Sequence, residues 1–346
     1  MRADQDYAAA AELLPEDWDD LEGKIDSETI HSTTFGNSRR RINRAIVYSF
    51  KGRNLLYAAS PLMHCSDTGV TPDTYKYDEE LAELAAEALA KVIDMDNRDV
   101  LDLNLADKDH LLYCFTDRPG KTSYFPGTPE ALETNQCEYI FSAPAQTPWA
   151  CNYLADSYMP YGGTNVITPN HTFVYNTFGT ENGLSCQEDP EHKYQEQFEH
   201  RDPRFYHNLI IDGDEIILKA SAAPKYKYAQ CYTGGLLRGE AVSKYSGGYF
   251  IKKWSPITHN KKLHGNEEVD GLSGLQWWMN MRLTDVYLMY AEALAATSKY
   301  GPAGKPDFNG VTLSSIDVLN IFRKRFDMPT VQESYAKINV DIENDS

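Results

Sequence analysis

The stretch from Met281 to Met328 constrains the fold of this chain more than any other. Leu283, Val286, Tyr287, Tyr290, Ala291 and Leu294 recur at the three-and-four spacing that lines one side of a helix, so that side must be buried. Gly301 and Pro302 supply the stop, because glycine accepts the left-handed cap conformation and proline cannot continue the hydrogen-bond ladder. A second helix is expected from Ser314 or Ser315. Ser314 and Asp317 stand at capping-box spacing there, and Ile316, Leu319, Phe322 and Phe326 carry its apolar side. The two helices, joined by a Gly/Pro loop, should pack antiparallel.

Three more helices are readable upstream. Tyr7 to Leu14 is short, alanine-rich and ended by Pro15; about Ile42 to Ala59 should bury Ala45, Ile46, Ser49, Phe50, Leu55 and Leu56. Tyr77 to Met95 carries a wide stripe of Leu81, Leu84, Ala85, Ala88, Leu89, Val92 and Ile93. Leu55-Leu-Tyr-Ala-Ala59 echoes Leu288-Met-Tyr-Ala-Glu292, which predicts equivalent buried positions for Tyr57 and Tyr290 in separate helix pairs. Stacked hairpins of this kind are the tetratricopeptide (TPR) principle, here interrupted rather than tandem. From about Leu101 to Gln276 the helical period is lost and Gly, Pro, Asn, Tyr and Trp are dense. Short apolar runs at Glu138–Ser142, Asn208–Ile211 and Gly248–Lys253 read as strand pieces. The expected class is mainly α: TPR-like helical hairpins with a long irregular insertion containing short β-hairpins. The expected organisation is scaffold over 1–100, a loop-rich insertion over 101–276, a helix pair over 277–330 and a tail over 331–346.

Charge and motifs exclude several functions. A formal net charge of −18 disfavours nucleic-acid backbones, which need clustered Lys and Arg to displace counterions. The one dense basic stretch, Arg39-Arg-Arg41 with Arg44, reads as a solvated helix start. No run of about 18 apolar residues is present for a membrane span. The six cysteines contain no C-x-x-C pair; buried thiols are the plain reading, with one or two disulfides open in an oxidising compartment. Gly120-Lys121-Thr122 fails as a phosphate loop, because Phe115 stands where its first glycine belongs. Asp94 to Asp99 fails as a calcium loop, because Arg98 occupies a ligand position and Asp99 that of the glycine. No metal or cofactor is expected. No nucleophile or metal motif is present, and no carboxylate pair sits in a local setting that would raise a pKa, so no enzymatic activity is expected either.

The positive signal is aromatic. The chain has 23 tyrosines against 13 phenylalanines, and Trp149, Tyr153, Tyr158 and Tyr161 gather in one Gly/Pro-rich region. Such rings offer flat apolar surfaces with polar edges at low entropic cost, which suits the C–H faces of sugars; Asn152 and Asn165 are the candidate hydrogen-bonding companions. The plainer alternative is that these rings pin an irregular loop to the scaffold. Trp277 and Trp278, leading into a helix, read as packing residues.

The order of motifs resembles the SusD/RagB family of outer-membrane nutrient-binding lipoproteins. The resemblance is carried by Arg282-Leu-Thr-Asp-Val-Tyr-Leu-Met-Tyr-Ala-Glu-Ala-Leu294 and by Val318-Leu-Asn-Ile-Phe-Arg-Lys-Arg-Phe-Asp-Met-Pro329. It departs from the family at Thr284-Asp285 and Phe326-Asp327. It extends through Arg201-Asp-Pro-Arg-Phe-Tyr206 and the segments around Tyr139 and Tyr249 to cover nearly the whole of Tyr7 to Pro329. The resemblance implies non-catalytic binding of oligosaccharides or polysaccharides and delivery to a SusC-like TonB-dependent transporter. It also implies lipid anchoring at the outer face of a Bacteroidota-type outer membrane. The N-terminal stretch shows no signal peptide or anchor cysteine, which fits either a cytosolic protein or a segment of a longer precursor; the resemblance of the start to a mid-helix stretch of the family favours the segment. A TPR-like protein-interaction adaptor and a glycoside hydrolase are the readings left open beside it.

Overall fold

A computed structural model of the protein describes residues 2–22, 24, 41–63, 75–98, 139–142, 168–215, 227–235, 237–238, 248–251 and 279–342. Its elements in chain order are α1 (Arg2–Leu13), α2 (Arg44–Ala59), α3 (Glu79–Asn97), β1 (Tyr139–Ser142), α4 (His171–Thr177), α5 (Pro203–Asn208), β2 (Leu209–Ile210), β3 (Phe250–Ile251), β4 (Met279–Arg282), α6 (Leu283–Ala295), α7 (Ser315–Arg325) and α8 (Val331–Ala336). They fall into two compact units. One comprises Met1–Leu105, Asn135–Pro144 and Trp278–Phe322; the other comprises Ala106–Thr134, Ala145–Trp277 and Arg323–Ser346.

The first unit is helical, and its helices begin where polar caps meet apolar stripes. The Asn43 side chain accepts from the Ile46 amide to start α2, and Asp78 accepts from Leu81 to start α3, with Glu79 and Glu80 favourably placed in the first turn. α3 buries Ala82, Ala85, Ala86, Ala88, Leu89, Ala90, Val92 and Ile93 against α2 and α6. Its alanines keep it thin. At Gly52 of α2 an added Cβ would sit 2.4 Å from Leu89 Cγ, so the helices touch nearly backbone to side chain there. α1 lies along α2, held by Arg44 Nε donating to the Ala11 carbonyl and by the Lys51–Asp4 ion pair.

α6 buries all six predicted positions. The Asp285 carboxylate accepts from the Arg282 amide and side chain, so the departure from the family pattern at Asp285 still serves the helix start. Ser314 and Asp317 form the expected reciprocal box. Ser315 Oγ donates to the Ala291 carbonyl, while Phe322, further along α7, meets Tyr287, earlier in α6. The pair therefore runs antiparallel. β1 pairs antiparallel with β4, Tyr139 opposite Arg282, and sends Ile140 into the core beside Met281.

Four expectations for this unit need correction. Tyr57 is 68% exposed whereas Tyr290 is fully buried, so the two are not equivalent. The echo matched residue types but not phase. α2 turns Gly52, Leu55, Leu56 and Ala59 inward, which leaves Tyr57 on the far side, while in α6 the partner of Leu55, Leu288, is the exposed one. Leu84 and Leu319 lie at the outer margins of their stripes, each 39% exposed, with Val318 taking the buried place in α7. α6 ends at Ala295, before Gly301; the glycine, at φ 59°, instead closes the next turn, its amide donating to the Thr297 carbonyl. Finally, the helix expected from Ile42 starts at Arg44, because Asn43 is its cap and Ile42 stands exposed before it.

The second unit is built from short pieces. β2 pairs antiparallel with β3, Leu209 opposite Ile251, which bears out two of the predicted strand runs. Its core gathers Val174, Phe205, Leu209 and Tyr249, with Phe178, Phe198, Tyr206 and Ile211 packed around. Cys186 and Cys231 are buried free thiols; the other four cysteines lie outside the described residues.

Candidate functional site

Two features of the second unit stand out chemically, a buried arginine and an aromatic corner resting on it. Arg201 is 2% exposed and faces backbone carbonyls rather than a carboxylate. Its Nε donates to Gly179, Nη1 to Gln197, and Nη2 to Val174, Tyr175 and Phe178, at 2.6–3.2 Å. The guanidinium thereby caps the carbonyl end of α4, where the helix dipole favours positive charge. It also lies over the Phe205 ring, 4.5 Å from its centre. The next residue, Asp202, starts α5: its carboxylate accepts from the Arg204 amide and pairs with the Arg204 side chain, and Pro203 occupies the first turn. The Arg-Asp-Pro-Arg run is therefore structural, one arginine closing the helix before it and one aspartate opening the helix after it.

The corner is built on α4. Asn170 caps that helix by accepting from the Phe173 amide, and the four-residue spacing then sets His171 and Tyr175 one turn apart on the same side. Their rings stack at 5.8 Å and 28°. Tyr194 stands at 80° to His171 and 58° to Tyr175, with centres 6.4 and 6.0 Å away. Tyr249, beside β3, stacks on His171 at 6.0 Å, and a 2.9 Å hydrogen bond joins its hydroxyl to His171 Nδ1. Tyr249 also meets Phe198, which stacks on Phe205, so the corner is continuous with the core. Exposure rises outward: Phe205 is fully buried, Tyr249 9% exposed, Tyr175 half-buried and Tyr194 58% exposed.

Burial, more than any charge, raises the Tyr249 pKa, so it stays a phenol able to donate to Nδ1. His192, 5.7 Å from the Tyr175 ring, is pushed the other way: burial, then the charge of Arg201, lowers its pKa and favours neutral imidazole. Its Nε2 is buried with no hydrogen-bond partner among the described residues. No group of three His, Cys, Asp or Glu side chains is placed to hold a metal ion among the described residues, and no described helix is long and apolar enough to cross a membrane.

The sequence-selected residues Trp149, Asn152, Tyr153, Tyr158, Tyr161 and Asn165 lie outside the described residues, as do Trp277 and Trp278. The aromatic corner was not selected from sequence. A signal for half of it exists, since His171 and Tyr175 follow a strong cap at helical spacing. Tyr194 and Tyr249 reach it only through the fold.

The sequence model of the SusD family matches residues 135–345. The chain belongs to the SusD family. Both the Arg201 lock and the aromatic corner fall within the SusD match, as does Trp149. No curated protein matches the chain. Among solved structures it is similar to a SusD-like protein from Bacteroides fragilis, at 17% identity and a TM-score of 0.55 over 95% of this chain and 52% of the other. It is also similar to a protein designated BT4246, at 18% identity and a TM-score of 0.56 over 98% of this chain and 60% of the other. At these identities the likeness is one of fold, and it agrees with the mainly helical SusD-like class expected above. The chain thus spans between about half and three-fifths of the length of these relatives.

Proposed function

We propose that this SusD-family chain binds oligosaccharides at the bacterial cell surface without turning them over, and presents them to a SusC-like TonB-dependent transporter. In this reading the full-length protein is a lipid-anchored component of a Bacteroidota outer membrane. The observation that carries it is the family match across residues 135–345, which takes in the Gly/Pro-rich stretch of sequence holding Trp149, Tyr153, Tyr158 and Tyr161. Trp149, Tyr153, Tyr158 and Tyr161 would stack on sugar rings, with Asn152 and Asn165 bonding hydroxyls. The missing nucleophile and metal motifs, and the lack of any carboxylate pair in a pKa-raising local setting, support binding over hydrolysis.

Calorimetry of the protein against a panel of oligosaccharides tests this. Each stacked ring contributes on the order of 1 kcal/mol, so Trp149→Ala and Tyr161→Ala should each weaken binding by roughly five- to tenfold. Unchanged affinity in folded variants would mean that these rings only pin the loop. Steady release of reducing ends, abolished by one Asp or Glu substitution, would refute the non-catalytic reading.

A further inference from the structure

We propose that the corner formed by His171, Tyr175 and Tyr194 is a stacking subsite for a neutral sugar unit, additional to the residues around Trp149; this rests on the glycan-binding reading. Three observations point to it. First, the rings are preorganised. Tyr249 holds His171 by a hydrogen bond and a stacked contact, and Phe198 and Phe205 back Tyr249, so a ligand would meet side chains that have already lost their rotamer freedom. Second, the polar edges are available. Tyrosines packed in the interior use their hydroxyls inside the protein, as Tyr206 does on the Phe198 carbonyl, Tyr287 on Asp96 and Tyr290 on the Leu313 carbonyl. The hydroxyls of Tyr175 and Tyr194 and the Nε2 of His171 make no such bond among the described residues, although their rings are held in place.

Third, the arrangement of the rings suits a sugar unit. Tyr194 stands at a steep angle to a near-parallel His171–Tyr175 pair, which gives two ring directions meeting at one place. A pyranose offers C–H faces to one ring and hydroxyls to the edges of the others. Around Tyr194 the sequence places Glu191, Glu196 and Glu199, in a chain of net charge −18, and the adjacent Lys193 is paired with Glu196. An acidic glycan would meet these carboxylates on the Tyr194 side, while the Arg201 guanidinium, 5.9 Å from the Tyr175 ring centre, is engaged with backbone carbonyls.

The test is calorimetry of the whole chain with neutral hexasaccharides (β-glucan, xyloglucan, mannan and galactan types) and one uronic-acid oligomer. Tyr194→Ala and Tyr194→Phe are compared with wild type and with Trp149→Ala. Tyr194 is largely exposed, so its variants should keep the wild-type melting temperature. The expected result is binding of a neutral oligomer, weakened roughly five- to tenfold by Tyr194→Ala and by a smaller factor by Tyr194→Phe, which keeps the ring and loses only the hydroxyl. His171→Ala should weaken binding similarly. Wild-type affinity in Tyr194→Ala and His171→Ala, with loss in Trp149→Ala, would overturn the subsite and leave the general reading standing. No binding of any oligomer by wild type would overturn both.

Discussion

Replacing Gly52 by alanine sets two known effects against each other at one position. Alanine gains about 0.5–1 kcal/mol over glycine in a helix interior. At Gly52, however, the new methyl would lie 2.4 Å from Leu89 Cγ, 2.6 Å from Cδ2 and 3.1 Å from Cδ1. Leu89 is fully buried in a helix whose neighbouring core positions are alanines, so its side chain cannot swing away without entering α2 or α6. Overpacking of this kind costs about 1–3 kcal/mol. The net expectation is a loss of about 1 kcal/mol, read as a lower urea midpoint at unchanged slope. The double variant separates the terms. Leu89→Ala alone should cost about 2–5 kcal/mol through its cavity, and adding Gly52→Ala should restore part of that, because the methyl then fills space instead of colliding. If Gly52→Ala proves more stable than wild type, or if the two changes simply add, the close approach of α2 and α3 is wrong.

Two further outcomes follow from the second unit. Arg201→Lys should destabilise it by roughly 3 kcal/mol, because an ammonium has three donors and cannot span the five carbonyls that the guanidinium serves; thermal melts of the variant check this, and a melt like wild type would refute the lock. His192 has a folded pKa below its ordinary 6.5, so the folded state binds its proton less readily than the unfolded chain. Its contribution is complete above pH 6.5 and is lost as pH falls through the lower folded value. Urea midpoints measured from pH 7 downward should drop less in His192→Gln than in wild type; parallel curves would sink the assignment.

The helices are legible because burial leaves a periodic trace. Leu283 to Leu294 and Ala85 to Ile93 can be read from spacing alone, and so can the Ser314–Asp317 box, since its chemistry is local. Tyr57 misleads because residue type carries no phase: Leu55-Leu-Tyr repeats the pattern of Leu288-Met-Tyr with the buried side turned elsewhere. Arg201 escapes notice as a core residue because arginine is ordinarily exposed, and its burial depends on carbonyls supplied by positions 174–179 and 197. The aromatic corner joins residues as far apart as His171 and Tyr249. No local spacing could announce it.

The carbonyl lock at Arg201 also bears on the order in which the chain can assemble as it is made. α4 has seven residues, well short of the roughly 12–15 at which an isolated helix begins to hold in water. The group that closes its end lies 23 to 27 residues downstream. While a ribosome is still adding those residues, the segment bearing His171 and Tyr175 has a cap at its start and nothing at its finish. It can settle only once Arg201 has emerged, and the corner is complete only when Tyr249 follows. A chain released early, anywhere between these two, would carry the histidine without the phenol that orients it.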